Sequence, residues 1–414
     1  MYLFCRFLRK LIRQGCLRVV DVDGHEHLFG LVDPHIEPLT ITVRKRSLYW
    51  KLALHPGLFL GEAYMAGEIK ISHGSIYDFL ALCGRNMALR KPGRKGVLWR
   101  IALAIGHRLT QWNSLARSRR NVAHHYDLAR DLYRSFLDRD MQYSCGYFPL
   151  PDTTLDEAQA AKRRHIVAKL ILERNQRVLD IGCGWGGLAI EIAKQADVRV
   201  DGVTLSREQL QFAGERAKAA GVGHNVNFAL KDYRELDQTY ERIVSVGMFE
   251  HVGAPYYRDF FCKLSDLLTP GGIALIHSIG SLDGPGFGNA FIRKYIFPGG
   301  HIPALSEVMP AVEDSGLIMA DIEILRLHYA ETLRHWRERF LGNWDTIRHL
   351  YDDRFKRMWE FYLAGCEMAF RYGGLMVFQL QLGKDLGAVP LTRDYIYERE
   401  HRQNAHTQVH EQAA

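Results

Sequence analysis

The fold is decided by the segment Val178-Leu179-Asp180-Ile181-Gly182-Cys183-Gly184-Trp185-Gly186-Gly187. Its apolar start, Val178–Ile181, predicts a buried strand, and Leu188–Lys194 directly after it predicts a helix. Glycines let the chain turn sharply and approach a ligand closely, while a helix start presents free N–H groups. A strand, a glycine-rich turn and a helix in this order indicate a cofactor-binding loop.

The glycine spacing leaves two cofactor classes to separate. Gly182, Gly184 and Gly187 match G-x-G-x-x-G, which alone fits a dinucleotide site. A dinucleotide site also needs an acidic residue after the next strand, Val198–Val203. That strand continues as Thr204-Leu205-Ser206 with no carboxylate, and Asp180 gives the D-x-G-x-G form typical of methyltransferases. The cofactor predicted is therefore S-adenosylmethionine (SAM).

Strands and helices alternate outward from this loop. The pattern predicts further strands at Val226–Leu230, Ile243–Val246 and Ile273–Ile276, and helices at Arg207–Ala220 and Tyr257–Leu268. This alternation favours an α/β fold with a mainly parallel sheet, and the SAM loop makes it a Rossmann-like class I methyltransferase domain, which we assign to residues 121–395. The polar tail, 396–414, is predicted to be disordered.

The N-terminal part has a different character. Residues 1–17 are predicted to form a basic amphipathic helix, which either docks on its own domain or contacts a membrane. Residues 18–90, with a strand-like run at Leu39–Val43 and a helical one at Ile76–Leu82, complete a small α+β module (1–90). Residues 91–120 are predicted to be a basic linker.

Charge and cysteine content narrow the function classes. The chain has 414 residues, enough for two domains. Residues 1–120 hold 20 Lys+Arg against 8 Asp+Glu, which points to nucleic acid or an anionic membrane surface as partner. The seven cysteines are scattered without metal-ligand spacing, so we expect no metal site, no disulfide framework and a reducing, cytoplasmic location. No apolar stretch is long enough to be a membrane span, and cations interrupt the start as a signal peptide.

Ordered blocks from His125 to about Gly383 carry a family resemblance. The chain resembles the cyclopropane-fatty-acyl-phospholipid synthases and their mycolic-acid-modifying relatives. Gly61–Gly67 is similar to the lipid-binding module of the full-length bacterial enzymes. Besides the glycine loop, the matching blocks are His125–Leu128, Met141–Phe148, Gly202–Gln209, Asp232–Arg234, Phe249–Gly253, His277–Gly280, Tyr295–Gly299 and Ala364–Cys366.

The resemblance implies cofactor contacts. Thr204 and Gln209 are expected to bind the ribose hydroxyls in place of the missing carboxylate, and Tyr233 offers a face for adenine. Together with the loop, the cofactor-binding residues we predict are Tyr143, Ser144, Asp180, Gly182, Gly184, Gly187, Thr204, Leu205, Gln209 and Tyr233.

Ring formation on an alkene has its own requirements. An alkene is a weak nucleophile, so the methyl sulfonium must be held in line with it in a dry apolar tunnel. A base must then remove a proton from the new methyl group. In the family this base is a bound bicarbonate, whose site maps onto Cys145, Glu250, His277, the backbone of Ile279, and Tyr329.

Two further features of the sequence each have two possible interpretations. Cys366 carries over as an active-site cysteine, but the reaction needs no covalent enzyme intermediate and its aromatic neighbours favour a packed thiol. The aromatic stretches Tyr143–Phe148, Phe287–Phe297 and Trp359–Tyr372 fit either an acyl tunnel or ordinary core.

The resemblance thus implies a cyclopropane-fatty-acyl-phospholipid synthase, peripheral on the anionic inner leaflet, with a homodimer left open. Four alternatives remain. The enzyme makes methyl- or methylene-branched fatty acids, or it methylates a small amine, which would not need the N-terminal module. A lipid-binding protein with an inactive fold would fail to bind SAM. An RNA methyltransferase would bind RNA in a salt-sensitive way, but the sequence has no RNA-binding module, so nucleic acid is not expected.

Overall fold

The computed structural model describes residues 1–31, 37–89 and 130–412, with side chains as far as Gln403. The predicted linker at 91–120 and the block His125–Leu128 lie outside these ranges. Two sheets organise the described chain, one of four strands and one of seven.

The small sheet belongs to the N-terminal module. Its strands are β1 (Cys16–Val20), β2 (Glu26–Gly30), β3 (Leu39–Val43) and β4 (Ile69–His73), in the order β2-β1-β3-β4. β1 runs parallel to β3, and the other two pairs are antiparallel. The helices of the module are Tyr2–Leu11, Leu48–Leu54, Pro56–Met65 and Ile76–Ala88.

The first helix is shorter than predicted and docks on its own module. It ends at Leu11, because Gly15 takes a left-handed φ of 77° and β1 begins at Cys16. Phe4 and Leu8 are buried in the shared core, while Tyr2 and Leu3 are exposed. The intramolecular alternative for this helix is therefore the one the structure adopts, with its cations on the outside.

The large sheet confirms the predicted α/β fold. Its strands are β5 (Arg177–Ile181), β6 (Arg199–Thr204), β7 (Val226–Leu230), β8 (Tyr240–Val246), β9 (Leu268–Ser281), β10 (Ile318–Ile324) and β11 (Leu375–Gly383), in the order β10-β11-β9-β8-β5-β6-β7. Strands β7, β6, β5, β8 and β9 are parallel, and β11 is antiparallel to both of its neighbours. β9 extends well beyond the predicted Ile273–Ile276.

Helices cover the large sheet and extend its edge. Ser206 caps one of them, its hydroxyl accepting from Gln209 N–H at 3.3 Å. The helices are Arg130–Phe136, Leu155–Leu170, Gly187–Gln195, Arg207–Ala219, Tyr257–Leu267, Ala290–Tyr295, Leu305–Glu313, His328–Gly342, Trp344–Ile347, Asp353–Arg371 and Asp394–Gln412.

The N-terminal module packs directly on the catalytic domain. The long helix Asp353–Arg371 contacts two helices of the module, Pro56–Met65 and Ile76–Ala88. A side chain at Gly61 would collide with the rings of Phe291 and Phe361, so glycine permits this close approach. Glu62 accepts from Lys294 Nζ at 2.6 Å and from the Tyr295 hydroxyl at 2.8 Å. Both units therefore share one apolar core.

The C-terminal tail departs from the prediction. The chain is helical over Asp394–Gln412 rather than disordered from 396. Its first half packs on the catalytic domain. Ile396 is buried, Glu400 Oε1 lies 2.6 Å from Nδ1 of the buried His165, and the Tyr395 hydroxyl donates to Gln381 Oε1 at 2.7 Å. These contacts hold a segment whose composition is otherwise polar.

Candidate active site

The glycine loop joins β5 to the helix Gly187–Gln195 as predicted. Gly182 has a φ of 82°, and a side chain there would meet Met248, so the position requires glycine. Asp180 is buried with no hydrogen-bond partner on Oδ2, and burial raises the pKa of its carboxyl to about 7. The loop thus leaves a polar, ligand-sized opening at the carboxyl ends of the strands.

This opening is a cavity of about 200 Å³. It brings together every predicted cofactor residue except one. Gly187 does not line it; that position instead packs closely on the side chains of Asp140 and Gln142. The residues brought together are Tyr143, Ser144, Asp180, Gly182, Gly184, Thr204, Leu205, Gln209 and Tyr233.

Thr204 and Gln209 act as a unit. The Thr204 hydroxyl donates to Gln209 Oε1 at 2.9 Å, and both side chains are buried. Because the amide oxygen faces Thr204, the Gln209 NH₂ group is the donor left for a ligand. Thr204 therefore orients Gln209.

A buried lysine supports the opposite wall. Lys162 Nζ donates to Ser144 Oγ at 2.8 Å and to Gln142 Oε1 at 2.5 Å. Burial lowers the pKa of Lys162 to about 7. The sequence analysis did not single out Lys162, because a lysine inside a charged helical run, Lys162-Arg163-Arg164, gives no sign of being buried.

A second cavity, of about 590 Å³ and mainly apolar, adjoins the first. All six predicted catalytic residues line it. They come from distant parts of the chain: Cys145, Glu250, His277, Ile279, Tyr329 and Cys366. Tyr143, Ser144, Gly247 and His251 line both cavities, so the two meet at these residues. Gly247 and His251 are further site residues; position 251 stood in a matching block without an assigned role.

Glu250 has one satisfied and one orphaned oxygen. Oε1 accepts from the backbone N–H of Ile279 at 2.7 Å, while Oε2 is buried with no hydrogen-bond partner. Burial raises the pKa of the Glu250 carboxyl to about 7. The Ile279 N–H, expected to face an anion, instead holds this carboxyl and directs Oε2 to another partner.

His277 is held as a neutral imidazole. Burial, reinforced by the charges of Lys162 and Lys169, lowers its pKa to about 3. Gln379 Nε2 lies 3.2 Å from His277 Nδ1, and Gln379 Oε1 accepts from Lys169 Nζ at 2.7 Å. Since Lys169 can only donate, the amide must turn its NH₂ group to Nδ1, which places the imidazole proton on Nε2. Gln379 and Lys169 are thus site residues that sequence reasoning missed.

The remaining three residues line the cavity with neutral groups. Cys145 Sγ donates to Gly146 O at 3.2 Å, and burial raises the pKa of its thiol. Tyr329 packs edge-on against Trp336 and closer to Phe370, at ring distances of 5.7 and 4.8 Å. Burial also raises the pKa of Cys366 to about 12, so its thiol is not a ready nucleophile.

The walls of this cavity combine both units. The N-terminal module contributes apolar side chains that include Phe4, Leu8, Leu52, Phe79 and Met87. The aromatic stretches serve as lining and as core at once. Phe297, Phe361, Tyr362 and Phe370 line the cavity, while Phe291 and Trp359 are buried in the core.

The sequence model of the family described as "Mycolic acid cyclopropane synthetase" matches residues 113–380. The chain belongs to this family. It is accordingly a SAM-dependent C-methyltransferase. The cavity at the glycine loop is the candidate SAM site.

Curated relatives match most of the chain. It is 40% identical over 400 residues to "Probable fatty acid methyltransferase" of Pseudomonas putida, covering 92% of this chain and 96% of the relative. It is 39% identical over 343 residues to "Cyclopropane-fatty-acyl-phospholipid synthase" of Escherichia coli (strain K12), covering 83% and 87%. Both alignments are longer than the catalytic domain, so each includes part of the chain that precedes it.

Solved structures match the catalytic domain. The cyclopropane synthase MmaA2 from Mycobacterium tuberculosis has a TM-score of 0.62 at 33% identity, covering 64% of this chain and 98% of that one. A mycolic acid cyclopropane synthase complexed with SAH and CTAB has a TM-score of 0.61 at 33% identity, with the same coverage. Within the described part of the chain, no helix is both long and apolar enough to cross a bilayer.

Proposed function

We propose that the protein transfers a methylene group from SAM to a cis double bond in the acyl chain of a membrane phospholipid, forming a cyclopropane ring. The observation that carries this proposal is the meeting of the cavity at the glycine loop with a larger apolar cavity at Tyr143, Ser144, Gly247 and His251. A methyl donor in the first cavity and an alkene in the second would face each other there.

The residues around the junction suit a reaction that develops positive charge on the chain. SAM, when bound at the glycine loop, supplies the methyl sulfonium. The rings of Tyr143, Phe297 and Tyr362 line the apolar side, exclude water and present π faces to a cation. His251 adds no competing charge, because burial lowers its pKa to about 4.

Glu250 and His277 fit a small anion between them. A carboxyl whose pKa is raised to about 7 keeps its proton for much of the neutral range, so the orphaned Oε2 serves as an O–H donor. The His277 Nε2–H is a second donor in the same cavity. Bicarbonate held by these groups would supply the proton acceptor for ring closure.

A phospholipid substrate is supported by the N-terminal module. Its helix Tyr2–Leu11 exposes Tyr2 and Leu3 beside Arg6, Arg9 and Lys10, a combination suited to an anionic inner leaflet. The same helix sends Phe4 and Leu8 into the wall of the apolar cavity. Membrane contact and chain entry would therefore involve one element.

One experiment tests the proposal directly. The chain is expressed in a host that lacks cyclopropane lipids, and fatty acid methyl esters are analysed by mass spectrometry. Unsaturated chains should gain the mass of one methylene, and their proton NMR spectrum should show upfield cyclopropane signals. An unchanged lipid profile, with the protein present and binding SAM, would refute the proposal.

A second candidate is methyl or methylene branching of the acyl chain. It is favoured by the names of two relatives, "Probable fatty acid methyltransferase" and "Tuberculostearic acid methyltransferase UfaA1", the second at 38% identity. Methylene branching and ring closure use the same methyl transfer and lose a proton from the same new methyl group, but branching first moves a hydride from the methylated carbon to the neighbouring cation. A saturated methyl branch would additionally need a hydride from a separate reductant. A mass gain without upfield cyclopropane signals in the experiment above would select branching.

A further inference from the structure

A third, polar cavity of about 280 Å³ joins the apolar cavity. It is lined by Phe287, Gly288, Arg293, Lys294, Gly300 and His301, among others, and four of these also line the apolar cavity: Gly288, Arg293, Gly300 and His301. A cationic compartment is therefore continuous with the space assigned to the acyl chain. Neither SAM nor the reacting double bond needs this compartment.

The cations of this cavity differ in their partners. Lys294 is neutralised by Glu62, 2.6 Å away. Arg293 Nε is buried and has no hydrogen-bond partner, and within the described ranges no carboxylate forms an ion pair with Arg293. A buried guanidinium N–H left unsatisfied costs free energy unless a ligand supplies an acceptor.

The shape of the compartment identifies the chemistry of that ligand. A guanidinium matches the oxygens of a phosphate or carboxylate in a planar, two-pronged geometry. A fatty acid carboxylate would fill little of the 280 Å³, whereas a phosphodiester with its headgroup alcohol would fill more of it. Phe287 at its edge is 47% exposed, as expected of an aromatic side chain at a membrane interface.

We propose that Arg293 binds the phosphate of the phospholipid whose acyl chain enters the apolar cavity. This inference rests on the proposed function and deepens it by naming the group that selects a phospholipid over an uncharged or free fatty acyl lipid. Phosphate and chain would be held at two ends of one continuous space, which places the double bond relative to the headgroup.

The test compares lipids that share acyl chains and differ in the headgroup. Binding of saturated dipalmitoylphosphatidylcholine and dipalmitoylglycerol, each in neutral detergent micelles, is measured by calorimetry for the wild type and for Arg293→Gln. Loss of a charge-assisted hydrogen bond should weaken phosphatidylcholine binding about tenfold to a hundredfold and leave dipalmitoylglycerol binding unchanged. Arg293→Lys, which keeps a point charge without the planar fork, should recover part of the loss.

Arg258→Gln is the matched control. Arg258 is exposed and pairs with Asp314 at 3.6 Å, away from all three cavities, so its removal should alter neither binding constant. Equal weakening with both lipids would show that Arg293 is structural and overturn the inference. Two other results would overturn it. In one, Arg293→Gln weakens the binding of palmitate but not of phosphatidylcholine. In the other, inorganic phosphate competes with phosphatidylcholine equally well in the wild type and in Arg293→Gln.

Turnover separates this inference from the proposed function. With dioleoylphosphatidylcholine, Arg293→Gln should raise KM by the same factor as the binding constant and leave kcat nearly unchanged. A wild type that binds phosphatidylcholine through Arg293 but forms no methylated lipid would refute the proposed function and leave the phosphate site standing.

Discussion

The cavity at the glycine loop, which we assign to SAM (the SAM cavity), and the apolar cavity, which we propose for the acyl chain (the acyl cavity), take their lining residues from different parts of the chain. The SAM cavity is lined by side chains from residues 141–299, concentrated at strand ends, and its lining includes backbone of the glycine loop. The acyl cavity draws on residues from Phe4 to Leu375 and is mainly apolar. The cavity assigned to SAM is thus formed mainly where neighbouring strands of one sheet end, while the proposed acyl cavity is enclosed by parts of the chain from both units.

The largest effect should come from Glu250, which lines the acyl cavity and precedes His251, one of the residues at which the two cavities meet. Glu250→Gln keeps the size of the side chain and can still accept from Ile279 N–H, but it removes the titratable carboxyl. We expect kcat to fall about 10²- to 10⁴-fold with SAM affinity unchanged. Lipid turnover and calorimetry of SAM binding measure the two quantities. The control is Glu313→Gln, at an exposed position; a Glu250→Gln variant that still turns over would end Glu250's assigned role.

Disrupting the glycine loop should weaken SAM binding and leave lipid binding unchanged. Gly182→Val places a branched side chain at a left-handed φ and against Met248. SAM binding should weaken by about a hundredfold, since steric overlap and backbone strain together exceed 2 kcal/mol. Phospholipid binding should remain. Gly221→Ala has a similar φ of 74° with open space around it and should bind SAM normally. Equal loss of lipid binding would show that the cavities are not independent.

The free energy of unfolding should depend on pH in a way that reports the buried carboxyl of Glu250. Burial raises the pKa of Glu250 from its ordinary value of 4.5 to about 7. The folded state therefore retains a proton that the unfolded state releases, and stability falls as pH rises from 4.5 through 7. Glu250→Gln lacks this dependence, so relative to the wild type it should gain on the order of 3 kcal/mol between pH 4.5 and 8. Urea unfolding measures the difference; parallel curves would contradict it.

Turnover of long acyl chains should depend on the free volume of the acyl cavity. Gly365 lines it, and a side chain at this position meets no atom within 4 Å. Gly365→Phe should fill this space and reduce kcat/KM for long-chain phospholipids about tenfold more than for short-chain ones. Gly365→Ala leaves most of the space and serves as the control. A uniform loss across chain lengths would place the chain elsewhere.

The smallest effect on turnover is expected at Cys366, the residue after Gly365. Cys366→Ala removes a thiol whose pKa burial raises to about 12. Turnover should fall less than about fivefold, a barrier change of under 1 kcal/mol, because the chemistry requires no thiolate. Assays of Cys366→Ala beside Gly365→Ala separate loss of the thiol from a change in packing. A loss of a thousandfold would restore a catalytic role to Cys366.

The same contrast explains what the sequence could predict. Strands β5 to β8 fall within three residues of their predicted bounds, because glycine turns and apolar periodicity are local signals. Gly187 fits the spacing of the glycine motif yet packs against Asp140, since spacing alone does not say which way a loop faces. The contribution of Phe4, Leu52 and Phe79 to the acyl cavity depends on how two units dock, which no local pattern records. Gln379 likewise gives no local signal, because it is one of two glutamines in an otherwise apolar strand and only the fold shows that it lies beside His277.

The C-terminal helix extends the reach of the active site. Glu400 and Glu323 flank the buried His165, and although burial opposes its charge, these two carboxylates raise the pKa of His165. Glu323 also binds Lys169, which donates to Gln379, which in turn contacts His277. A continuous hydrogen-bonded chain therefore runs from the C-terminal helix to the imidazole of His277. Truncating the chain before residue 400, or attaching a bulky group to that helix, would therefore disturb the hydrogen bonds that lead to His277.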